Sequence, residues 1–371
     1  MDLRRTLERM VKENASDLHL KSGMPPVFRI HGSLTPLNEP TLSPEELRQI
    51  ALQLMPKGQE QVFADQKELD FAISISGLGR FRVNVYMQRS SVALALRAIP
   101  VSIKKVDELA LPPVIKELSL AHRGMVLVTG TTGSGKSTTL ASMIEHVNEA
   151  DSRNIITVED PIEFLFRDKK SIISQREVGT DTLSFQSALK HVLRQDPDFI
   201  LIGEIRDKNT LQTALQAADT GHMVMSTLHT LNATETINRV VSFFPPHQHE
   251  HIRMLLAATL VAVISLRLLP RADGKGRVPA VEILINTPTV KEYLMDPVKT
   301  LMIPQLIQEG TTQYNMQSFD QSIMRHYKDG LITYEVAIQS VTNPDEFKLR
   351  LKGIESTGDG RGWDSFDGTR R

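Results

Sequence analysis

The chain has 371 residues, 40% hydrophobic and 23% charged, which suits two domains and excludes a wholly disordered or fibrous protein. Its 43 basic and 44 acidic side chains leave a net charge of −1, without the basic excess of a nucleic-acid protein, so no nucleic-acid partner is expected. Cysteine is absent, which excludes disulfides, thiol catalysis and cysteine-ligated metal, and agrees with a reducing compartment.

In chain order, Met1-Asp2-Leu3-Arg4-Arg5 runs into mixed charge, not an apolar signal core. Ser43, Pro44 and Glu46 predict a helix start closed by a capping box, with Leu47, Ile50, Ala51 and Leu54 at helical spacing behind it. Leu69 to Ser76 and Phe81 to Gln88 predict a hairpin turning through Gly77-Leu78-Gly79, with Arg80 and Arg82 on one face of the second strand. Pro100, Lys104-Lys105 and Pro112-Pro113 mark a linker, a candidate hinge. The expected organisation is a domain over 1–100, a linker over 101–117, a domain over 118–352 and a disordered tail over 353–371. Met125 to Thr129, Ile155 to Val158, Phe199 to Ile202 and Met223 to Ser226 are unbroken apolar runs with helical spacers, the pattern of parallel strands covered on both faces. Leu255 to Leu269 is the most apolar stretch. It carries Thr259, Ser265 and Arg267 and is shorter than the ~20 residues of a bilayer span, so it reads as a buried helix and no transmembrane segment is expected. After Pro279 the chain is expected to be mostly helical.

Gly130-Thr131-Thr132-Gly133-Ser134-Gly135-Lys136-Ser137 fits G-x-x-x-x-G-K-[ST] between a predicted strand and helix. About 0.01 such matches are expected by chance in a chain of this length. Glycines let successive N–H groups turn inward around phosphate at the positive end of the helix, Lys136 brings charge to the β- and γ-phosphates, and the Ser137 hydroxyl ligates Mg²⁺. Thr131, Thr132, Gly133, Ser134, Gly135 and Thr138 complete the predicted ATP cradle. Glu204, at the end of a strand expected to neighbour this loop, is the second candidate for Mg²⁺. Glu159-Asp160-Pro161-Ile162-Glu163 follows another strand, and either Glu163 or Glu159 suits the base that polarises the attacking water. His222 and His229 flank the fourth strand, where a γ-phosphate contact and simple packing are equally open. His247 and His251 share a predicted helix face, but without a third ligand they read as a solvated first turn.

The phosphate loop, Ile155 to Glu163, Ile202-Gly203-Glu204-Ile205-Arg206-Asp207, and Thr220-Gly221-His222 through His229 occur in the order and form of the secretion ATPase superfamily. They resemble its Walker A, Asp-box, atypical Walker B and His-box motifs. Ser16-Asp17-Leu18-His19-Leu20 and Gly79-Arg80-Phe81-Arg82-Val83-Asn84 are similar to segments of the type IV pilus retraction ATPases, the PilT family. The resemblance covers about residues 1 to 345. It implies a PAS-like α+β N-terminal domain, then a RecA-like P-loop NTPase domain with a mainly parallel sheet and a helical C-terminal part. It implies a cytoplasmic homohexameric ring at the inner-membrane base of the pilus machine, working with a platform protein and with a paralogous pilus ATPase. Its reaction would be ATP hydrolysis coupled to pilus retraction. By the same resemblance Glu163 is the catalytic glutamate, Glu204 the Walker B acid, His229 a phosphate-sensing residue, and Arg82 and Arg97, with Arg80, reach a nucleotide across a subunit interface. The chain lacks the four-cysteine module and longer N-terminal region of the assembly ATPases, which favours retraction. Thr289 to Asp296 stands where many retraction proteins carry Ala-Ile-Arg-Asn-Leu-Ile-Arg-Glu, and this departure, with the tail, points toward the accessory PilU type.

Three other classes compete. An ATP-gated scaffold would bind without turnover, against which Lys136, Ser137, Glu163 and Glu204 all argue. A nucleic-acid translocase on the same core lacks basic charge and aromatic platforms, aromatics being 5% of the chain. A metabolic kinase lacks any acceptor-substrate signature.

Overall fold

The computed structural model describes residues 1–30, 32–100 and 102–352; the 353–371 tail, expected to be disordered, lies outside them. Two compact units are present, Met1–Ser102 with Glu163–Leu165, and Ile103–Ile162 with Phe166 onward.

The first unit is an antiparallel sheet built from β1 (Asp17–Leu20), β2 (Val27–Ile30), β3 (Ser33–Pro36), β4 (Glu68–Ile75), β5 (Gly79–Gln88) and β6 (Ser91–Ile99). Their order is β3-β2-β1-β6-β5-β4. Leu7 and Met10 from the helix Leu3–Lys12 and Leu47 and Ile50 from the helix Pro44–Leu54 join Leu18, Phe28, Phe81, Val83 and Leu96 in one core. The second helix starts as its sequence requires: the Ser43 hydroxyl accepts from the Glu46 N–H, and the Glu46 carboxylate accepts from the Ser43 N–H. The β4–β5 hairpin forms with Ile75 opposite Gly79.

The second unit holds β7 (Gly124–Thr129), β8 (Asn154–Glu159), β9 (Ile172–Glu177), β10 (Phe199–Ile202), β11 (Met223–Leu228), β12 (Leu260–Pro270) and β13 (Arg277–Ile285), in the order β13-β12-β7-β11-β10-β8-β9. All neighbours are parallel except β12 and β13. Alternation along each strand feeds two cores, one on each face. Met125 and Leu127 face one side with Ile156, Ile200 and Val224, while Val126 and Val128 face the other with Ile155, Phe199 and Met225. Each such side chain withdrawn from water contributes roughly 1.5–3 kcal/mol, which is why the central strands are mainly apolar on both faces. Much of the stretch read as a linker is packed: Val106, Leu111, Val114 and Ile115 are buried in the second of these cores. The sheet margins are occupied. Ile283 and Gln317 exchange both backbone hydrogen bonds beside β13, and the N–H groups of Ile173 and Glu177 in β9 donate to the carboxylates of Asp168 and Asp181.

One expectation needs correction. Leu255 to Leu269 is not one buried helix; the helix His249–Thr259 stops, and β12 runs from Leu260. An apolar run fits either state by periodicity, and here β-branched Val261, Val263 and Ile264 favour the pleated form beside β7. As expected, the chain after Pro279 is mostly helical: β13 ends at Ile285, and helices make up most of the stretch from Pro288 to Leu351. Among the described residues no helix is long and apolar enough to cross a membrane.

Gly124 opens β7 at φ +109, and a Cβ there would sit 2.6 Å from both the Thr259 carbonyl and Val261 Cγ2. Gly124→Ala is therefore expected to destabilise the protein by about 2–3 kcal/mol, read as a lowered midpoint in urea denaturation with an unchanged slope.

Candidate active site

Strand β7 is buried along its whole length and delivers the phosphate loop at its carboxyl end. The turn is too tight for a side chain at Gly130: at φ +141 a Cβ would meet the Ser134 hydroxyl and lie 2.6 Å from the Leu266 carbonyl. The helix Lys136–Ala150 begins here, so its positive end and the loop N–H groups converge on one spot. Lys136 is buried, and its Nζ donates to the carbonyls of Gly130 at 2.8 Å and Thr131 at 3.0 Å. The ammonium is thereby kept at the loop mouth, within a side-chain rotation of anything bound there. Thr131, Thr132 and Gly133 are exposed, while Gly135, Ser137 and Thr138 are half-buried. Ser134 Oγ is buried and lacks a hydrogen-bond partner. An orphaned hydroxyl beside a lysine and a helix start fits a polyphosphate, which brings acceptor oxygens.

The carboxyl ends of β10, β11 and β8 open on the same edge of the sheet as β7, the edge where open α/β sheets bind ligands. Strand β11 stands between β7 and β10, so Glu204 is two strands from the loop and not on its immediate neighbour as expected; strand order is a tertiary fact that the local sequence does not carry. Glu204 Oε1 lies 3.0 Å from His229 Nε2, and Oε2 accepts from Arg206 at 2.9 and 3.0 Å. Arg206 in turn lies 3.7 Å from Asp160. This carboxylate therefore ties the end of β11 to that of β10, and through Arg206 to the end of β8. Arg206 is 60% exposed, so these pairs orient side chains more than they stabilise the fold. Its hydrogen bond and charge interaction with Glu204 raise the guanidinium pKa further above its ordinary value. Below the pair, Ser226 and Thr227 hydroxyls donate to the carbonyls of Ile202 and Gly203 at 2.7 and 2.8 Å, locking the two strand ends together.

The acidic loop separates its two glutamates by environment. Glu159 is buried at the end of β8, accepting from the Thr157 hydroxyl at 2.7 Å and from Gln175 at 3.2 Å. Glu163 is exposed. Between them the Asp160–Pro161 peptide is cis, and the Ile162 N–H donates to buried Glu177 at 3.0 Å. Glu177 also accepts from the Thr180 hydroxyl at 3.3 Å. A carboxylate of β9 thus fixes the backbone next to Glu163, a function that sequence reading missed. His222 is engaged locally, its Nδ1 3.0 Å from the Ala217 carbonyl and 3.2 Å from the Thr220 hydroxyl. His247 lies in the short turn Pro246–Gln248 ahead of the helix that holds His251, not on one helix with it.

In the N-terminal unit Arg82 and Arg97 are directly opposite across β5 and β6. Asp17 on β1 stands opposite both Arg97 and Arg29, so four charged residues form one row. Arg97 Nε lies 2.7 Å from Asp17, and Arg82 lies 3.7 Å from Asp70. Burial works against the charge of Asp17, but hydrogen bonds from Ser16 and Arg97 outweigh it and hold the carboxyl below its usual range. Both arginines stay exposed, Arg97 by 69%. Arg29 was missed because its alignment with them depends on strand register. Arg80 is half-buried, opposite Ile99.

A family model described as "Type II/IV secretion system protein" matches residues 1–344. The type IV pilus ATPase PilU of Pseudomonas aeruginosa is 40% identical over 364 residues, 97% of this chain and 94% of that protein. The type IV pilus retraction ATPase PilT of the same organism is 41% identical over 347 residues, 94% of this chain and 100% of its own length. A crystal structure of the pilus retraction motor PilT with bound ADP superposes with a TM-score of 0.87 at 44% identity, covering 93% of this chain and 98% of that one.

Ser134→Ala removes a buried hydroxyl that has no partner, so the nucleotide-free protein is expected to keep its stability or gain up to about 1 kcal/mol, measured by chemical denaturation.

Proposed function

The chain belongs to the Type II/IV secretion system protein family, and on that premise we propose that it is a hexameric motor ATPase that couples ATP hydrolysis to type IV pilus retraction. The observation that carries this reading is the gathering of the phosphate loop, the Glu204–His229 pair and the acidic loop along one edge of a mainly parallel sheet. Similarity along nearly the whole chain to a PilT and a PilU supports the coupling to pili. The ring would act from the cytoplasmic side of the inner membrane, against a platform protein of the pilus machine.

In this reading Thr131, Thr132, Gly133, Ser134, Gly135, Lys136, Ser137 and Thr138 hold the triphosphate. Lys136 exchanges the carbonyls of Gly130 and Thr131 for phosphate oxygens. Ser137 and Glu204 would hold Mg²⁺, which when bound supplies neutralising charge on the phosphates. Glu163, the exposed glutamate of its loop, accepts the proton of the attacking water, while buried Glu159 secures Thr157 and Gln175. His229 and Arg206 orient Glu204, and His229 senses the terminal phosphate. Arg82 and Arg97 of an adjacent subunit meet the charge that develops there, since guanidinium matches phosphate oxygens in geometry and sign. Contacts available only before cleavage favour one arrangement of the ring over another, and that differential affinity is what drives movement.

The accessory role is the second reading. The match to the PilU protein over 97% of this chain and the Thr289–Asp296 segment favour it. Deleting the gene and scoring pili against twitching separates the cases: immobile, heavily piliated cells indicate the main motor, and an effect that appears only under load or with a paralogue indicates the accessory one.

Glu163→Gln in the purified oligomer is expected to keep nucleotide affinity while phosphate release falls about 10²–10⁴-fold. Turnover equal to that of the unaltered protein would remove Glu163 from the role of base, and an unaltered protein that binds ATP without releasing phosphate would favour a scaffold.

A further inference from the structure

Glu282 is a carboxylate that the chemistry above leaves unused. It sits on β13 and is 8% exposed. Strand register places Thr129 opposite Ser265, and Ser265 opposite Glu282, so the three polar side chains form one row across β7, β12 and β13. The Thr129 hydroxyl donates to Ser265 Oγ at 3.0 Å, and Ser265 stands directly across the strand pair from Glu282, where its hydroxyl favours the charged carboxylate. At the far end, Glu282 Oε1 accepts from the Ala233 N–H at 2.8 Å.

Both ends of this row matter. Thr129 immediately precedes Gly130, whose carbonyl holds Lys136. Ala233 is the first residue of the helix Ala233–Ser242, and the turn before it is bound to that helix: Leu231 N–H donates to Glu235 at 3.0 Å, and the Thr230 and Thr236 hydroxyls are 2.7 Å apart. That turn carries His229 on its other side, in contact with Glu204. A displacement of the helix start therefore moves His229.

We propose that Glu282 is a positioning residue for the ATPase reaction, clamping the turn behind His229 to the strand that feeds the phosphate loop. The inference rests on the ATPase reading only for the reaction it would tune. An ionised carboxylate suits the task, because it faces the N–H groups at the positive end of a helix. Burial pushes Glu282 up to about 7, opposed by the Ala233 N–H and by Arg267 on β12, and reinforced by Asp320 on the helix Phe319–Lys328. Arg267 is itself stacked 3.8 Å from the Phe319 ring. Because this acid binds a proton more readily folded than unfolded, stability falls as pH rises from the ordinary carboxylate range to about 7. The clamp is thus tightest where it costs the fold most, and a neutral amide in its place relieves the cost.

The test compares the full-length protein with Glu282→Gln and Ser265→Ala, following kcat and KM from pH 6 to 8.5, thermal melting, and hydrogen exchange at the Ala233 amide. For Glu282→Gln at pH 8, melting no lower than that of the parent is expected, with Ala233 exchange faster by about tenfold. Its kcat is expected to drop about five- to tenfold with KM within about twofold, and the parent's loss of kcat below about pH 7 should disappear. Ser265→Ala, which leaves the Ala233 contact in place, should lower kcat less and keep that pH dependence. Unchanged exchange at Ala233, an unchanged kcat profile, or a large drop in melting temperature for Glu282→Gln would each overturn the proposal. A parent protein without ATPase activity would refute the functional reading instead, and exchange at Ala233 would still decide whether the clamp exists.

Discussion

The geometry of the site turns on the Glu204 carboxylate. Two partners on different strand ends, His229 at 3.0 Å and Arg206 at 2.9 Å, converge on it, and Arg206 extends the link to Asp160. Loops at the edge of a parallel sheet have no ladder to hold them, so their mutual placement has to come from contacts of this kind. A partly exposed ion pair adds little to stability. Its value here is directional: two guanidinium nitrogens hold one carboxylate oxygen while the imidazole meets the other.

Carboxylates divide the work by depth. Glu159, Glu177 and Glu282 are buried, and each is engaged with backbone or side-chain donors of its own unit. Glu163 and Asp160 are exposed. A buried acid is costly unless its hydrogen bonds are made, and once made they hold the surrounding backbone in a single arrangement. The exposed acids are open to ligand and water, while the backbone beside them is held from beneath, the Ile162 N–H by Glu177.

Much of this was legible in the sequence, for identifiable reasons. The phosphate loop, the helix start at Ser43 and the four short parallel strands are local patterns, written in consecutive residues. Leu255 to Leu269 failed because an apolar run has no period, and helix and strand then differ only through neighbours that the sequence does not name. The intervening position of β11, and the alignment of Arg29 with Arg82 and Arg97, depend on strand order and register. Arg206 was read as part of a motif without its partners. Glu177 and Glu282 act on Ile162 and Ala233, far away along the chain, and no short motif contains both ends of such a contact.

The occupied margins of the seven-stranded sheet have a consequence for how copies of the chain can associate. Gln317 takes up Ile283 beside β13, and Asp168 and Asp181 accept the N–H groups of Ile173 and Glu177 on β9. A foreign strand approaching either flank finds these backbone groups already spoken for, and would have to displace the Gln317 backbone at one, or two carboxylates at the other, before pairing. Association through the flanks of this sheet is thereby left to side chains, whose grip can be made and broken repeatedly, and strand-to-strand zippering there is disfavoured.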